Sequence, residues 1–191
     1  MPKTEAVISI QNVVACSSLN QKIDLNAVVK GYPGVEYRPE QFPGIVFRLK
    51  RPKTGILIFS TGKMVCTGAK SGKEARGAVM KVVKELKKCG IIVLGKPDFE
   101  VVNIVASASL GGNVDLEKAV TVLGSCMYEP EQFPGLIYRM TEPKVVILVF
   151  ASGSLVCTGA KKEQDVFDSV RKLHVMLEEQ GLIFYEKNFK G

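Results

Sequence analysis

The sequence is poor in the residues from which catalytic and metal centres are built. Histidine occurs once, at His174, and one histidine with scattered carboxylates assembles no Ser/His/Asp or metal-ligand cluster. The expectation is a protein that is not an enzyme and holds neither metal nor cofactor. Five cysteines (Cys16, Cys66, Cys89, Cys126, Cys157) are an odd number without a C-x-x-C pair. That argues against a complete disulfide framework or a standard zinc site and fits a reducing, intracellular compartment. No apolar run approaches the ~18 residues that cross a bilayer, and Met1-Pro2-Lys3-Thr4-Glu5 has no signal-peptide pattern. No membrane association is expected. Thr67-Gly-Ala-Lys-Ser71 has some phosphate-loop residues, but no Gly-Lys-Ser/Thr follows at the required spacing, and an apolar strand fills the place of the loop.

What is present is an ordinary globular composition, 46% hydrophobic and 24% charged over 191 residues, with a formal charge of +7 that invites a polyanionic partner. The charge is unevenly placed: residues 1–95 hold 16 Lys+Arg against 6 Asp+Glu, and residues 96–191 hold 10 against 13. The two halves are also copies. Tyr37-Arg-Pro-Glu-Gln-Phe-Pro-Gly-Ile-Val-Phe-Arg-Leu49 returns 91 residues later as Tyr128-Glu-Pro-Glu-Gln-Phe-Pro-Gly-Leu-Ile-Tyr-Arg-Met140, identical at 8 of 13 positions. At the same offset Phe59–Lys70 matches Phe150–Lys161 at 8 of 12 positions. A repeat this long is a domain-sized half, so the chain divides into repeats 1–95 and 96–191 that together make one pseudo-twofold core.

Within a half, local pattern predicts a strand over Val7–Ala15, a short helix from an Asp24 N-cap to about Lys30, and strands around 45–50, 55–60 and 63–68. A long helix closes it, opened by the capping spacing Ser71-Gly-Lys-Glu74, stopped at Gly90, and striped by Ala75, Val79, Val82 and Leu86. Val166, Val170, Leu173 and Leu177 form the same stripe in the second copy, with Gly181 as the stop. The strands are apolar on both sides: Ile56 and Ile58 face one way, Leu57 and Phe59 the other. Helices can cover one face. The surplus face is that of a sandwich, an obligate oligomer or a ligand surface. Polar groups at matching places on it, Asn12 with Asn103 and Thr67 with Thr158, would need partners if buried between sheets and would find them on base edges.

The paired P-E-Q-F-P-G-[IL]-[VI]-[FY]-R and G-[KS]-[ML]-V-C-T-G-A-K segments resemble the core of the TATA-box-binding protein family, over roughly Val7–Leu182. The resemblance implies an α+β pseudo-twofold saddle from two direct repeats: a curved ten-stranded antiparallel sheet, four helices on the convex face, and DNA beneath. It implies a general transcription initiation factor that binds AT-rich TATA-box promoter DNA in the minor groove and bends it. Phe42, Phe59, Phe133 and Phe150 would be the wedges between base steps. Asn12, Val14, Leu57, Val65, Thr67, Asn103, Val105, Leu148, Val156 and Thr158 would read the groove floor, and Arg48, Lys63 and Arg139 would meet phosphates. Glu129 and Glu131 would dock transcription factor B, through which RNA polymerase is recruited.

Carrying Pro-Glu-Gln-Phe-Pro-Gly in both halves resembles the archaeal branch of the family, which implies an intracellular protein of cytoplasm or nucleoid, where a eukaryotic member would imply a nucleus. Two departures stand out: Ser154 occupies the position matching Lys63, and the tail Glu186-Lys-Asn-Phe-Lys-Gly191 lacks an acidic run. Free of DNA, the apolar underside also admits a homodimer. The alternative function is a saddle that cradles a protein partner without DNA specificity.

Overall fold

The computed structural model, which describes residues 2–186, repeats its elements as the sequence repeats its motifs. The first copy runs β1 (Val7–Ser18), α1 (Leu25–Gly31), β2 (Glu36–Tyr37), β3 (Ile45–Lys50), β4 (Lys53–Ile58), β5 (Lys63–Ala69) and α2 (Gly72–Lys88). The second runs β6 (Asp98–Ser109), β7 (Asn113–Val114), α3 (Leu116–Val122), β8 (Cys126–Met127), β9 (Leu136–Met140), β10 (Val145–Val149), β11 (Ser154–Ala160), α4 (Glu163–Glu179) and β12 (Ile183–Phe184). The fold class is α+β, with ten antiparallel sheet strands and four helices, apart from the small β7–β12 ladder. Contacts divide the described chain into two compact units, Gln11–Asn103 and residues 2–10 with 104–186. Strand order is β2-β3-β4-β5-β1 in one copy and β6-β11-β10-β9-β8 in the other.

Helix positions follow from caps and stripes. Asp24 accepts the backbone N–H groups of Asn26 and Ala27, and Asp115 accepts that of Lys118, so both short helices start on a carboxylate. Ser71 Oγ caps α2 by accepting the Glu74 N–H at 3.0 Å. Its counterpart Lys162 supplies no side-chain cap to α4, which instead carries Glu163 and Asp165 in its first turn, where the helix dipole favours them. Gly90 and Gly181 follow the long helices with φ of +86° and +65°. The striped residues Ala75, Val79, Val82 and Leu86, and Val166, Val170, Leu173 and Leu177, are all buried.

Those stripes cover one face of each sheet. In the first unit Ile45, Phe47, Ile56, Ile58, Met64 and Cys66 are fully buried, and each large side chain contributes about 1.5–3 kcal/mol. Tyr32, just past α1, closes over Phe47 with ring centroids 4.4 Å apart. Every second residue of the same strands points away from the helices and stays part-exposed, as Val46, Leu57 and Val65 do. Among the described residues no helix is long and apolar enough to cross a membrane.

Two irregularities in the ladders are also duplicated. Between β1 and β5 the register shifts so that Val13 pairs with Ala69 but Ala15 pairs with Cys66, leaving one extra residue on β5. Gly68, with φ +92°, supplies the left-handed conformation that such a bulge requires. β6 and β11 shift identically, with Gly159 at φ +96°. The β4–β5 and β10–β11 hairpins close alike as well: Phe59 N–H donates to Lys63 O and Gly62 N–H to Phe59 O, as Phe150 does with Ser154 and Gly153 with Phe150.

Candidate nucleic-acid interface

The part-exposed face of each unit is built from registered rows. In the first, Val46, Leu57, Val65 and Cys16 lie side by side across β3, β4, β5 and β1, and Arg48, Gly55 and Thr67 form the adjacent row. In the second, Ile137, Leu148, Val156 and Ser107 make the first row and Arg139, Val146 and Thr158 the next. The expected groove-reading residues Leu57, Val65 and Thr67, and Leu148, Val156 and Thr158, are thus brought onto one face within each unit. Val14, on β1 beside the bulge, and Val105, on β6, are part-exposed like them. Val46 and Cys16 belong to the row of the first unit, and Ile137 and Ser107 to that of the second, and sequence reasoning missed all four. The signal was present for Val46, which alternates with buried Ile45 and Phe47.

The bulge gives this face its polar feature. Gly68 N–H, turned out of the ladder, donates to Asn12 Oδ1 at 2.7 Å. An N–H can only donate, so it fixes the amide oxygen toward β5 and leaves the Asn12 Nδ2 hydrogens as the group available to a ligand. Asn103 is part-buried at the equivalent place on β6.

The four phenylalanines form two pairs. Phe42 and Phe59 meet edge to face with centroids 5.7 Å apart, and Phe133 and Phe150 do so at 5.8 Å. Phe42 and Phe133 keep 37% and 36% of their surface exposed, high for aromatic rings with a stacking partner. Glycine makes the pairing possible: a Cβ on Gly44 would lie 3.0 Å from both Phe42 and Phe59, and one on Gly135 only 2.7 Å from Phe133. The loop behind each exposed ring hangs from one carbonyl. Arg38 O accepts the N–H groups of Gln41 and Phe42, and Glu129 O those of Gln132 and Phe133.

Charged candidates lie around these rows. Arg48 is exposed and loosely paired with Glu36 at 3.7 Å, an ion pair worth little in water. Arg139 is exposed on β9, and Lys63 heads β5 opposite Ser18. Its counterpart Ser154 sits 3.2 Å from the Ser152 hydroxyl. Glu129 and Glu131 are exposed in the loop before β9.

Cys66 and His174, two groups of catalytic type, are buried away from these rows. Cys66 is buried beneath α2, and burial raises its thiol to a pKa of about 11, so it carries no thiolate at neutral pH. His174, 2% exposed on α4, approaches Tyr185 Oη at 3.3 Å, and Tyr185 in turn donates to Glu178. Burial pushes the imidazole pKa down, outweighing the opposing pull of Glu178. Among the described residues no group of three or more His, Cys, Asp or Glu could hold a metal ion.

Comparison with known proteins gives one consistent result. The family model described as "Transcription factor TFIID (or TATA-binding protein, TBP)" matches twice, at residues 7–89 and 98–180. The TATA-box-binding protein of Pyrodictium occultum is 53% identical over 176 residues, covering 92% of this chain and 87% of its own. That of Sulfolobus acidocaldarius is 54% identical over 169 residues, covering 88% and 86%. Among solved structures, Methanococcus jannaschii TBP superposes with a TM-score of 0.82 at 46% identity, over 90% of this chain and 98% of its own.

Proposed function

The chain belongs to the TATA-binding protein family, and from that membership and the duplicated open faces we propose that it is an archaeal-type general transcription initiation factor that binds AT-rich promoter DNA through the minor groove. The observation that carries the reading is the Asn12–Gly68 hydrogen bond. It presents amide donors beside an apolar row of valine and leucine. The minor groove at A·T pairs offers only acceptors, whereas G·C adds the guanine amino donor. A surface of donors and alkyl groups pairs with the first and leaves the second unpaired and crowded. Asn12, Val14, Leu57, Val65 and Thr67 read one half of the site, and Asn103, Val105, Leu148, Val156 and Thr158 the other.

The phenylalanine pairs, each with one exposed ring, are the wedges. Minor-groove architectural proteins, of which TATA-binding proteins are the standard example, insert apolar side chains between base steps and kink the duplex. Unstacking costs a few kcal/mol per step, offset by the larger surface that bent DNA wraps. Phe42 and Phe59 serve one end, Phe133 and Phe150 the other. Arg48, Lys63 and Arg139 contact phosphates, which sets affinity and salt dependence rather than sequence choice.

The surplus of acidic residues in the second repeat suits a basic protein partner. Glu129 and Glu131 dock transcription factor B, which brings in RNA polymerase, and the more basic first repeat repels it. Without DNA, the exposed apolar rows would pair with a second copy. A mobility shift on a TATA-like duplex against a GC-rich duplex of equal length tests the reading: selective retention of the former supports it, and equal retention rejects it.

A further inference from the structure

Strand β4 holds a glycine where the second repeat holds a valine. Gly55 lies between Arg48 on β3 and Thr67 on β5, and Val146 lies between Arg139 and Thr158 in the same register. Glycine inside a regular element is destabilising relative to alanine. It is retained where the backbone is left-handed, where a strand bulges, or where something approaches the backbone closely.

The first two reasons fail here. Gly55 is not among the positive-φ glycines, and the pairings on both of its sides run through it without a register shift. Close approach within the protein fails too. A Cβ at Gly55 would meet only Thr67 Oγ1, at 3.7 Å, an ordinary contact. Gly44 is different, since a Cβ there would press on two rings and a carbonyl. The protein has room for a side chain at 55 and does not use it. What remains is a ligand.

We propose that Gly55 is a DNA-binding position of the first repeat, whose missing side chain opens a notch between Arg48 and Thr67 in which one strand of the bound duplex settles closer to the sheet than Val146 allows over the second repeat. The inference rests on the DNA-binding reading above and adds a depth difference between the two halves of the site. Arg48 at one side of the notch meets the phosphates of the settled strand, and Thr67 at the other faces the base edges. The half of the duplex over the first repeat is therefore held by backbone proximity as well as by side chains.

The test is a size series, Gly55→Ala, Gly55→Val and Gly55→Leu, measured for affinity to an AT-rich duplex and for thermal midpoint. Affinity is expected to fall stepwise with side-chain size, reaching about tenfold at valine, the scale of one lost close contact at a DNA interface. The thermal midpoint is expected to stay level or rise, because any side chain in place of glycine restricts the unfolded chain, and valine, being β-branched, also suits a strand. Equal affinity across the series overturns the proposal. So does a midpoint that falls in step with affinity, which would make the glycine a requirement of the fold. A wild-type protein that does not prefer the AT-rich duplex would overturn the DNA-binding reading instead, and that control is read first.

Discussion

Asn12 Oδ1 accepts the Gly68 N–H at 2.7 Å, so a bulge in β5 decides which end of an amide on β1 is offered outward. Asn12→Asp separates the two halves of that arrangement. The carboxylate still accepts from Gly68, but it offers no donor and adds negative charge facing groove acceptors. The thermal midpoint is expected to stay near wild type while affinity for an AT-rich duplex falls at least about tenfold, or ~1.4 kcal/mol. Asn12→Ala also leaves the Gly68 N–H without its partner and is expected to lower both. Undiminished binding by the aspartate variant contradicts the donor role.

Bending should depend on the ring pairs more than attachment does. Phe133→Ala or Phe150→Ala removes a wedge while leaving the basic groove edges, so end-to-end fluorescence distances on a labelled TATA duplex should lengthen at saturating protein. Gly135→Ala should act the same way without deleting a ring, because its Cβ would displace Phe133. Distances as short as wild type in all three variants contradict the wedge.

The acidic loop of the second repeat can be inverted without disturbing the wedge beside it. Glu129 holds Phe133 through its backbone carbonyl, which Glu129→Arg keeps. Glu129→Arg with Glu131→Arg is therefore expected to abolish the ternary complex with transcription factor B while binary DNA binding stays within a few-fold. A ternary complex that forms normally in a native gel refutes the docking assignment.

Stability at acid pH should depend on His174. Burial lowers its folded pKa, so as pH falls the unfolded chain takes up the proton first. The stabilisation is full above the ordinary value of 6.5 and is lost as pH drops from there toward the folded pKa. Val83 stands at the matching position of the first repeat. His174→Val should flatten the decline of thermal midpoint between about pH 7 and pH 5, and an unchanged slope contradicts it.

Much of this was legible in the sequence because the informative signals are local. Asp24 and Ser71 announced their caps, the 3.6-residue stripes announced α2 and α4, and the doubled apolar alternation announced an uncovered face. β2, β8, β7 and β12 were not legible, since strands of two residues carry no periodicity and exist only through their partners. β1 was read to Ala15 but extends to Ser18, because Cys16, Ser17 and Ser18 pair with β5 and polar residues mask the strand. β4 ends at Ile58 rather than 60, because Phe59 already belongs to the hairpin closure with Lys63. The Asn12–Gly68 bond was invisible for a similar reason: it joins residues 56 apart through a bulge that one glycine in sequence does not reveal.

The central claim is that donor and alkyl groups on the open faces choose A·T pairs by what the minor groove displays. It is tested most directly by comparing affinities for three duplexes that differ at the centre of the site, carrying A·T, inosine·C or G·C. Inosine lacks only the amino group that guanine projects into the minor groove. The account predicts that inosine·C binds close to A·T and that G·C binds at least about tenfold more weakly. Equal affinity for inosine·C and G·C would contradict it.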